Sequence, residues 1–285
     1  MNAKLIITTG VVAMTGFVYT SSAQFTDNFD DGNDAGWTQY NPIVGSAYSF
    51  PVSSQGGLGY QMTAPSGNGR VGSFLTSMPA TPDGVFSVDL INWTLGVRQE
   101  MGVAARVQAP VVISPTLFFQ GYSLTYVNRF SAGAGGTDQL RIYRWSLTSL
   151  GFINQDITLT ANGSAGQFSA NANPPFSGGS AAPAPLGDYR LVFKVYGSSL
   201  SGQMIDIATG LPLLFSDGLG GATDTVHAID TTYTTGIGGL ITFQLGTNPT
   251  YDNFSVVPEP STWAVATLGF LGLVVRNVRR FKRTF

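Results

Sequence analysis

Residues able to do chemistry are few in this 285-residue chain. It has no cysteine, which excludes thiolate nucleophiles, thiolate metal sites and disulfides alike. His227 is the sole histidine and sits in a loop-like stretch with Asp224 and Asp230. A Ser-His-Asp or histidine-metal centre would have to be built on it, and a surface histidine is the simpler reading. No glycine-rich phosphate loop leads into a lysine and a helix. Glycoside hydrolysis normally needs two opposed carboxylates, yet Glu100 is the only glutamate between Gln24 and Val257. The stretch Gln99-Glu100-Met101-Gly102-Val103 supplies no second carboxylate in register. No catalytic residue is therefore expected, with a polysaccharide-active hydrolase or lyase built on unrecognised aspartates kept as the alternative.

Two constellations suit binding. Asp27, Asp30, Asp31, Asn33 and Asp34 are dense in hard oxygen ligands, and Asp252 joins them if the first and last strands pair. Ca²⁺ takes about six to eight such oxygens, which makes structural calcium a candidate cofactor, although the spacing is not that of an EF-hand. An Asp/Asn-rich turn is the competing reading, because these side chains bond their own backbone. Arg141, Tyr143 and Trp145 share one face of a predicted strand, and Tyr196 lies on the open face of another. Aromatic faces with an arginine nearby can stack on sugar rings and reach their hydroxyls, with Trp145 partly exposed as the platform. Core packing is the competing reading for all four.

The elements that must position these groups read as strands. In Asp188-Tyr189-Arg190-Leu191-Val192-Phe193-Lys194-Val195-Tyr196, apolar residues alternate with polar or smaller ones as in a half-buried strand. Similar patterns occupy Tyr60–Thr63, Arg70–Leu75, Val85–Trp93, Met101–Val107, Leu117–Tyr126, Gln139–Trp145, Leu200–Ile207, Ile237–Leu245 and Thr250–Val256. About ten strands separated by Gly, Pro, Asn and Ser clusters predict a sandwich or barrel. No sustained helical period occurs among them. The chain has 43% hydrophobic and 11% charged residues, so it can fill a core and is not a disordered chain. Residues 160–187, poor in large apolar groups, read as a long surface loop in preference to an interdomain linker.

Thr26-Asp27-Asn28-Phe29 and Tyr251-Asp252-Asn253-Phe254 echo each other, which suggests first and last strands lying side by side. Phe25-Thr26-Asp27-Asn28-Phe29-Asp30-Asp31-Gly32 with Gly36-Trp37 resembles the opening of concanavalin A-like (laminin G-like) jelly rolls. Tyr189 to Gly210 is similar to their central strand pair, and Tyr251 to Val256 to their closing strand. The resemblance implies an all-β, two-sheet antiparallel jelly-roll sandwich over residues 24–256. Hydrolases of that fold usually carry Glu-x-Asp-x-x-Glu on one strand, and nothing here matches it.

Both ends read as processing segments. Met1 to Ala23 begins with Lys4, continues through an apolar run and ends in Ser21-Ser22-Ala23, which predicts a signal peptide cut before Gln24 by signal peptidase. Residues 257–285 hold Val257-Pro258-Glu259-Pro260-Ser261, an apolar run of 13 residues from Trp263 to Val275, and the basic residues Arg276, Arg279, Arg280, Lys282 and Arg283. The run is shorter than the roughly 20 residues that cross a bilayer comfortably, which suits a temporary hold in the inner membrane with the basic end cytoplasmic. This order resembles the PEP-CTERM sorting signal of Gram-negative bacteria, with Pro258, Glu259 and Pro260 as its motif. It implies processing by an exosortase and a link to exopolysaccharide; an ordinary single-pass anchor is the plainer alternative. Between Gln24 and Val257 seven Arg and one Lys face 14 Asp and one Glu, a net charge of −7 that repels phosphate backbones and excludes nucleic acid as a natural partner. The combined expectation is an exported cell-surface or extracellular-matrix protein. It would be a non-catalytic polysaccharide-binding module or, failing that, a purely structural matrix component.

Overall fold

The structure is a computed structural model and describes residues 24–40, 47–63, 69–81, 83–92, 99–108, 111–113, 116–128, 139–148, 151–159, 187–216, 221–244 and 249–259. The expected signal helix, the short membrane helix, the basic residues Arg276 to Arg283 and most of the 160–187 loop lie outside these residues. Among the described residues there is no helix long and apolar enough to cross a membrane. Residues Gln24–Glu259 form one compact unit.

That unit is an all-β, two-sheet antiparallel sandwich. The eight-stranded sheet runs β17 (Val226–Ile229), β14 (Ser199–Asp206), β13 (Tyr189–Tyr196), β6 (Gly84–Ile91), β19 (Thr250–Pro258), β4 (Tyr60–Thr63) and β3 (Ala47–Ser49), with β1 (Phe25–Asp27) also paired to β19. The seven-stranded sheet runs β12 (Gly151–Asp156), β11 (Gln139–Thr148), β10 (Gly121–Asn128), β7 (Gln99–Val107), β18 (Ile237–Gln244), β5 (Gly69–Leu75) and β2 (Trp37–Tyr40). Two small ribbons, β8 (Val111–Ile113) with β9 (Thr116–Phe118) and β15 (Phe215–Ser216) with β16 (Ala222–Thr223), complete the strands among the described residues.

Period-two alternation decides which side chains meet. Tyr189, Leu191, Phe193 and Val195 of β13 are buried while Arg190 and Lys194 are exposed. They join Phe86, Val88 and Leu90 of β6 and Tyr251, Phe254 and Val256 of β19. Met101, Val103, Tyr122, Leu124, Leu140, Ile142 and Leu240 face them from the other sheet. Close approach of the sheets needs a glycine at 202, where a Cβ would lie 2.2 Å from Leu124 Cδ1.

The echoing segments are neighbours, with Phe25, Thr26 and Asp27 paired to Val256, Ser255 and Phe254. The expected strand Leu117–Tyr126 is two strands, β9 and β10, parted at Phe119 and Gln120; β10 opens at Gly121, whose Cβ would meet the Arg106 carbonyl at 3.0 Å. A buried cation also ties the sheets. Arg106 of β7, 1% exposed, donates to the carbonyls of Gly197 and Tyr233 and to the Asp83 carboxylate, each at 2.8 Å.

Candidate functional site

The outer face of the seven-stranded sheet carries a second apolar cluster beside a polar group. On β11 the side chains of Leu140 and Ile142 enter the core, so Gln139, Arg141, Tyr143 and Trp145 point the other way. Neighbouring strands set Thr125 opposite Arg141, Ser123 and Asp156 opposite Tyr143, and Glu100 opposite Val127, itself opposite Gln139. The sequence thus lays charged and aromatic residues on the same outer surface through pairing register alone.

Trp145 and Tyr143 are covered, not open. Trp145 is 2% exposed, its ring centroid 5.0 Å from Phe119 and 5.7 Å from Tyr143, and its indole nitrogen donates to Ser123 Oγ at 2.8 Å. Phe119 continues the row to Phe74 at 5.1 Å, and Phe74 to Tyr40 at 5.2 Å. The expected partly exposed stacking platform at Trp145 is therefore corrected. Alternation gives the face correctly, but Phe119, distant in sequence, closes over the indole and makes it core.

The polar end of this row is different. Arg141 donates to the Tyr143 hydroxyl at 3.2 Å, stands 3.4 Å from the Asp156 carboxylate, and its guanidinium lies 6.0 Å from the Tyr143 ring centre. The side chains of Arg141 and Asp156 keep 13% and 16% exposure, so the ion pair marks the side open to solvent. Burial, followed by the nearby Glu100 carboxylate, raises the Tyr143 phenol above its ordinary pKa, and Arg141 opposes that rise. Two atoms here have no hydrogen-bond partner although buried, Arg141 Nε and Gln139 Oε1. Buried polar atoms are nearly always paired, so an unfilled donor and an unfilled acceptor two residues apart on one strand are notable. Sequence reasoning singled out Arg141 and missed Gln139, although the same alternation places both on one face. Asp156 was not legible, because only the β11–β12 register brings it to Tyr143.

Tyr196 is elsewhere. It ends β13 on the outer face of the eight-stranded sheet, so the structure does not bring it to Arg141, Tyr143 and Trp145. Burial and then the Glu259 and Asp83 carboxylates raise its pKa.

The acidic set proposed for calcium is dispersed as well. Asp27 accepts from the Phe29 amide at 2.9 Å and the Trp37 indole at 2.7 Å. Asp30 accepts from the Leu58 amide at 2.9 Å, and Asp31 from the Asn33 amide at 3.1 Å. Asp34 accepts from Gln39 at 2.6 Å and Tyr60 at 3.1 Å, and Asp252 from Ser53 Oγ and the Asn253 amide, both at 2.7 Å. Among the described residues no group of three or more His, Asp or Glu side chains is placed to hold a metal ion. Asp27 and Asp31 bond backbone amides two residues on, as the competing turn reading has it, whereas Asp30, Asp34 and Asp252 bond groups distant in the chain. His227 is exposed on β17.

Another concavity, an open depression of about 670 Å³, lies over β1, β6, β13 and β19 and is lined by Thr26, Asn28, Ser87, Arg190 and Asn253 among others. Its arginine is engaged, donating to both Asp89 oxygens at 2.6 and 2.9 Å.

The chain is similar to solved structures of a glucanase, a lectin and a carbohydrate-binding module, each at low identity. A glycoside hydrolase family 16 endo-glucanase from Bacteroides ovatus aligns over 82% of this chain and 99% of its own at 9% identity, with a TM-score of 0.47. Lectin II from Ulex europaeus aligns over 84% and 99% at 8% identity and a TM-score of 0.41. The carbohydrate-binding module CBM66 from Bacillus subtilis aligns over 78% and 95% at 11% and 0.37. No curated protein sequence matches the chain. Residues 256–280 match the PEP-CTERM protein-sorting motif, a signal of exported, cell-surface-associated proteins that implies processing by an exosortase.

Proposed function

We propose that the chain is a non-catalytic polysaccharide-binding module of jelly-roll type. In this reading signal peptidase frees it at Gln24, the C-terminal tail holds it transiently in the inner membrane of a Gram-negative bacterium, and an exosortase then processes it. Its ligand is an exopolysaccharide at the cell surface. The observation that carries the binding reading is the unpaired Arg141 Nε and Gln139 Oε1 on one strand face, beside Tyr143 and the Arg141–Asp156 pair. A hydroxyl is both donor and acceptor, so a polyhydroxylated ring toward which Arg141 and Gln139 turn their side chains would supply what both atoms lack. Guanidinium and carboxylate at the open side would orient it.

Affinity electrophoresis of the Gln24–Glu259 domain through gels containing acidic and neutral polysaccharides tests this. The wild type should be retarded by at least one of them, and Arg141→Ala and Gln139→Ala should each migrate freely with the fold retained by circular dichroism. Wild-type protein that no polysaccharide retards, or variants retarded like it, would overturn the reading. Release of reducing or unsaturated ends from a retarding polysaccharide would instead make the protein an enzyme, with Glu100 and Asp156 the carboxylates nearest Tyr143.

A further inference from the structure

The motif that should be handed to a processing enzyme does not hang free of the domain. β19 runs on through Val257 and Pro258, which pair with Val85 and Gly84 of β6. Beyond the strand the Glu259 amide donates to the Asp83 carbonyl at 3.4 Å. The approach is tight enough that a Cβ on Gly84 would lie 3.0 Å from the Val257 carbonyl. Tyr196, at the end of β13 next to β6, lies near enough to the Glu259 carboxylate for that charge to raise its pKa. Asp83, which receives the Glu259 amide, is itself rigidly held: its carboxylate accepts from Arg106 and from the Gly197 amide, both at 2.8 Å. Its carbonyl also accepts from Thr81 at 2.9 Å. Pro258 and Glu259 are thus laid onto a corner fixed by a buried arginine.

An enzyme that reads a peptide motif takes hold of an extended backbone with its amides and carbonyls free, and a backbone already paired in a sheet opens only by local unfolding. We infer that the folded domain masks its own sorting motif, so that processing waits on the end of β19 peeling from β6, with Tyr196 as the latch on Glu259. This rests on the exosortase reading and adds to it a control built from the domain's own residues. The masked state lets the sandwich complete its sheet before the motif is handed over, and sets the processing rate by how often the corner opens.

Two measurements on the full-length chain test it. In hydrogen exchange followed by mass spectrometry, in detergent, the Glu259 amide should be protected in the wild type and exchange faster in Tyr196→Phe. Loss of one ordinary polar contact shifts such an opening equilibrium by about fivefold. In a host with an exosortase, pulse–chase of the basic tail should show a correspondingly shorter precursor lifetime for Tyr196→Phe. A chain with Gly-Ser-Gly-Ser inserted between Val257 and Pro258, which lifts the motif off β6, should be shortened likewise. Free-chain exchange at Glu259 in the wild type would overturn the masking, as would unchanged or longer precursor lifetimes in both variants. A wild-type chain that keeps its tail in that host would remove the exosortase reading instead, and the exchange result would still judge the masking.

Discussion

At Trp145 the indole nitrogen is satisfied by Ser123 and the ring by Phe119 and Tyr143, so the side chain is core at both its polar and apolar ends. Trp145→Ala should cost about 3–5 kcal/mol, the range for emptying a buried aromatic site, and lower the melting temperature sharply. A melting temperature equal to that of the wild type would put Trp145 on the surface. Asp252 gives a residue-scale test against pH. It is 3% exposed and sits beside its register partner Asp89, and burial first, then the charges of Asp89 and Asp30, raise its pKa above the ordinary aspartate value. The folded chain therefore binds this proton more tightly than the unfolded one. Its contribution is fully present below the unfolded pKa and is lost as pH rises through the raised folded value. Asp252→Asn has nothing to titrate, so urea midpoints taken from acid to neutral pH should move in favour of the variant as pH rises; a constant gap would deny the coupling. Parity along a strand was legible in the sequence, and it placed Arg141, Tyr143 and Trp145 together. Depth was not, because the cover over an outer face comes from residues such as Phe119 that no local pattern connects to it. The aspartates of the opening segment were legible as ligands or as turn-formers, and only the positions of Phe29, Trp37, Leu58 and Tyr60 decide that they receive hydrogen bonds.

Among the elements, the strands that the sequence hid are those at the sheet edges. β2 and β12 bound the seven-stranded sheet, β3 and β17 the eight-stranded one, and none was expected from alternation. An edge strand is paired on one side only and is kept short, so three or four residues such as Ala47–Ser49 or Val226–Ile229 carry too little pattern to stand out. Central strands, enclosed by neighbours on both sides, declared themselves: Tyr60–Thr63 has the bounds its alternation predicts, and β13 starts one residue after the expected Asp188–Tyr196. What alternation could not reveal is how the sheets are tied at one corner. Arg106 has φ 50, an unusual conformation for a bulky residue, and its guanidinium joins the end of β7 to Asp83, Gly197 and Tyr233. Arg106→Ala removes the donor from two carbonyls and a carboxylate together, and should cost about 3–5 kcal/mol by chemical denaturation. Lysine at this position should recover only part of that loss, since one ammonium cannot reproduce the forked geometry. A midpoint unchanged in Arg106→Ala would show that the corner is held by packing alone.

For the whole molecule, composition and the ends were the most legible features: a charge-poor, glycine-rich middle that could only be a sheet protein, and a C-terminal motif whose order of parts is its own signature. The pairing of Phe25 with Val256 was foreshadowed by the echoing segments, and it puts the two exits of the chain at one end of adjacent antiparallel strands. That placement has a mechanical meaning. A force drawing Gln24 and Glu259 apart would not shear β1 along β19 with all their hydrogen bonds loaded at once; it would load them singly, beginning at Phe25, as a zipper opens. The sandwich should therefore yield at low force when pulled by its own ends, and resist far better when pulled along β6 and β13, whose bonds would be strained together.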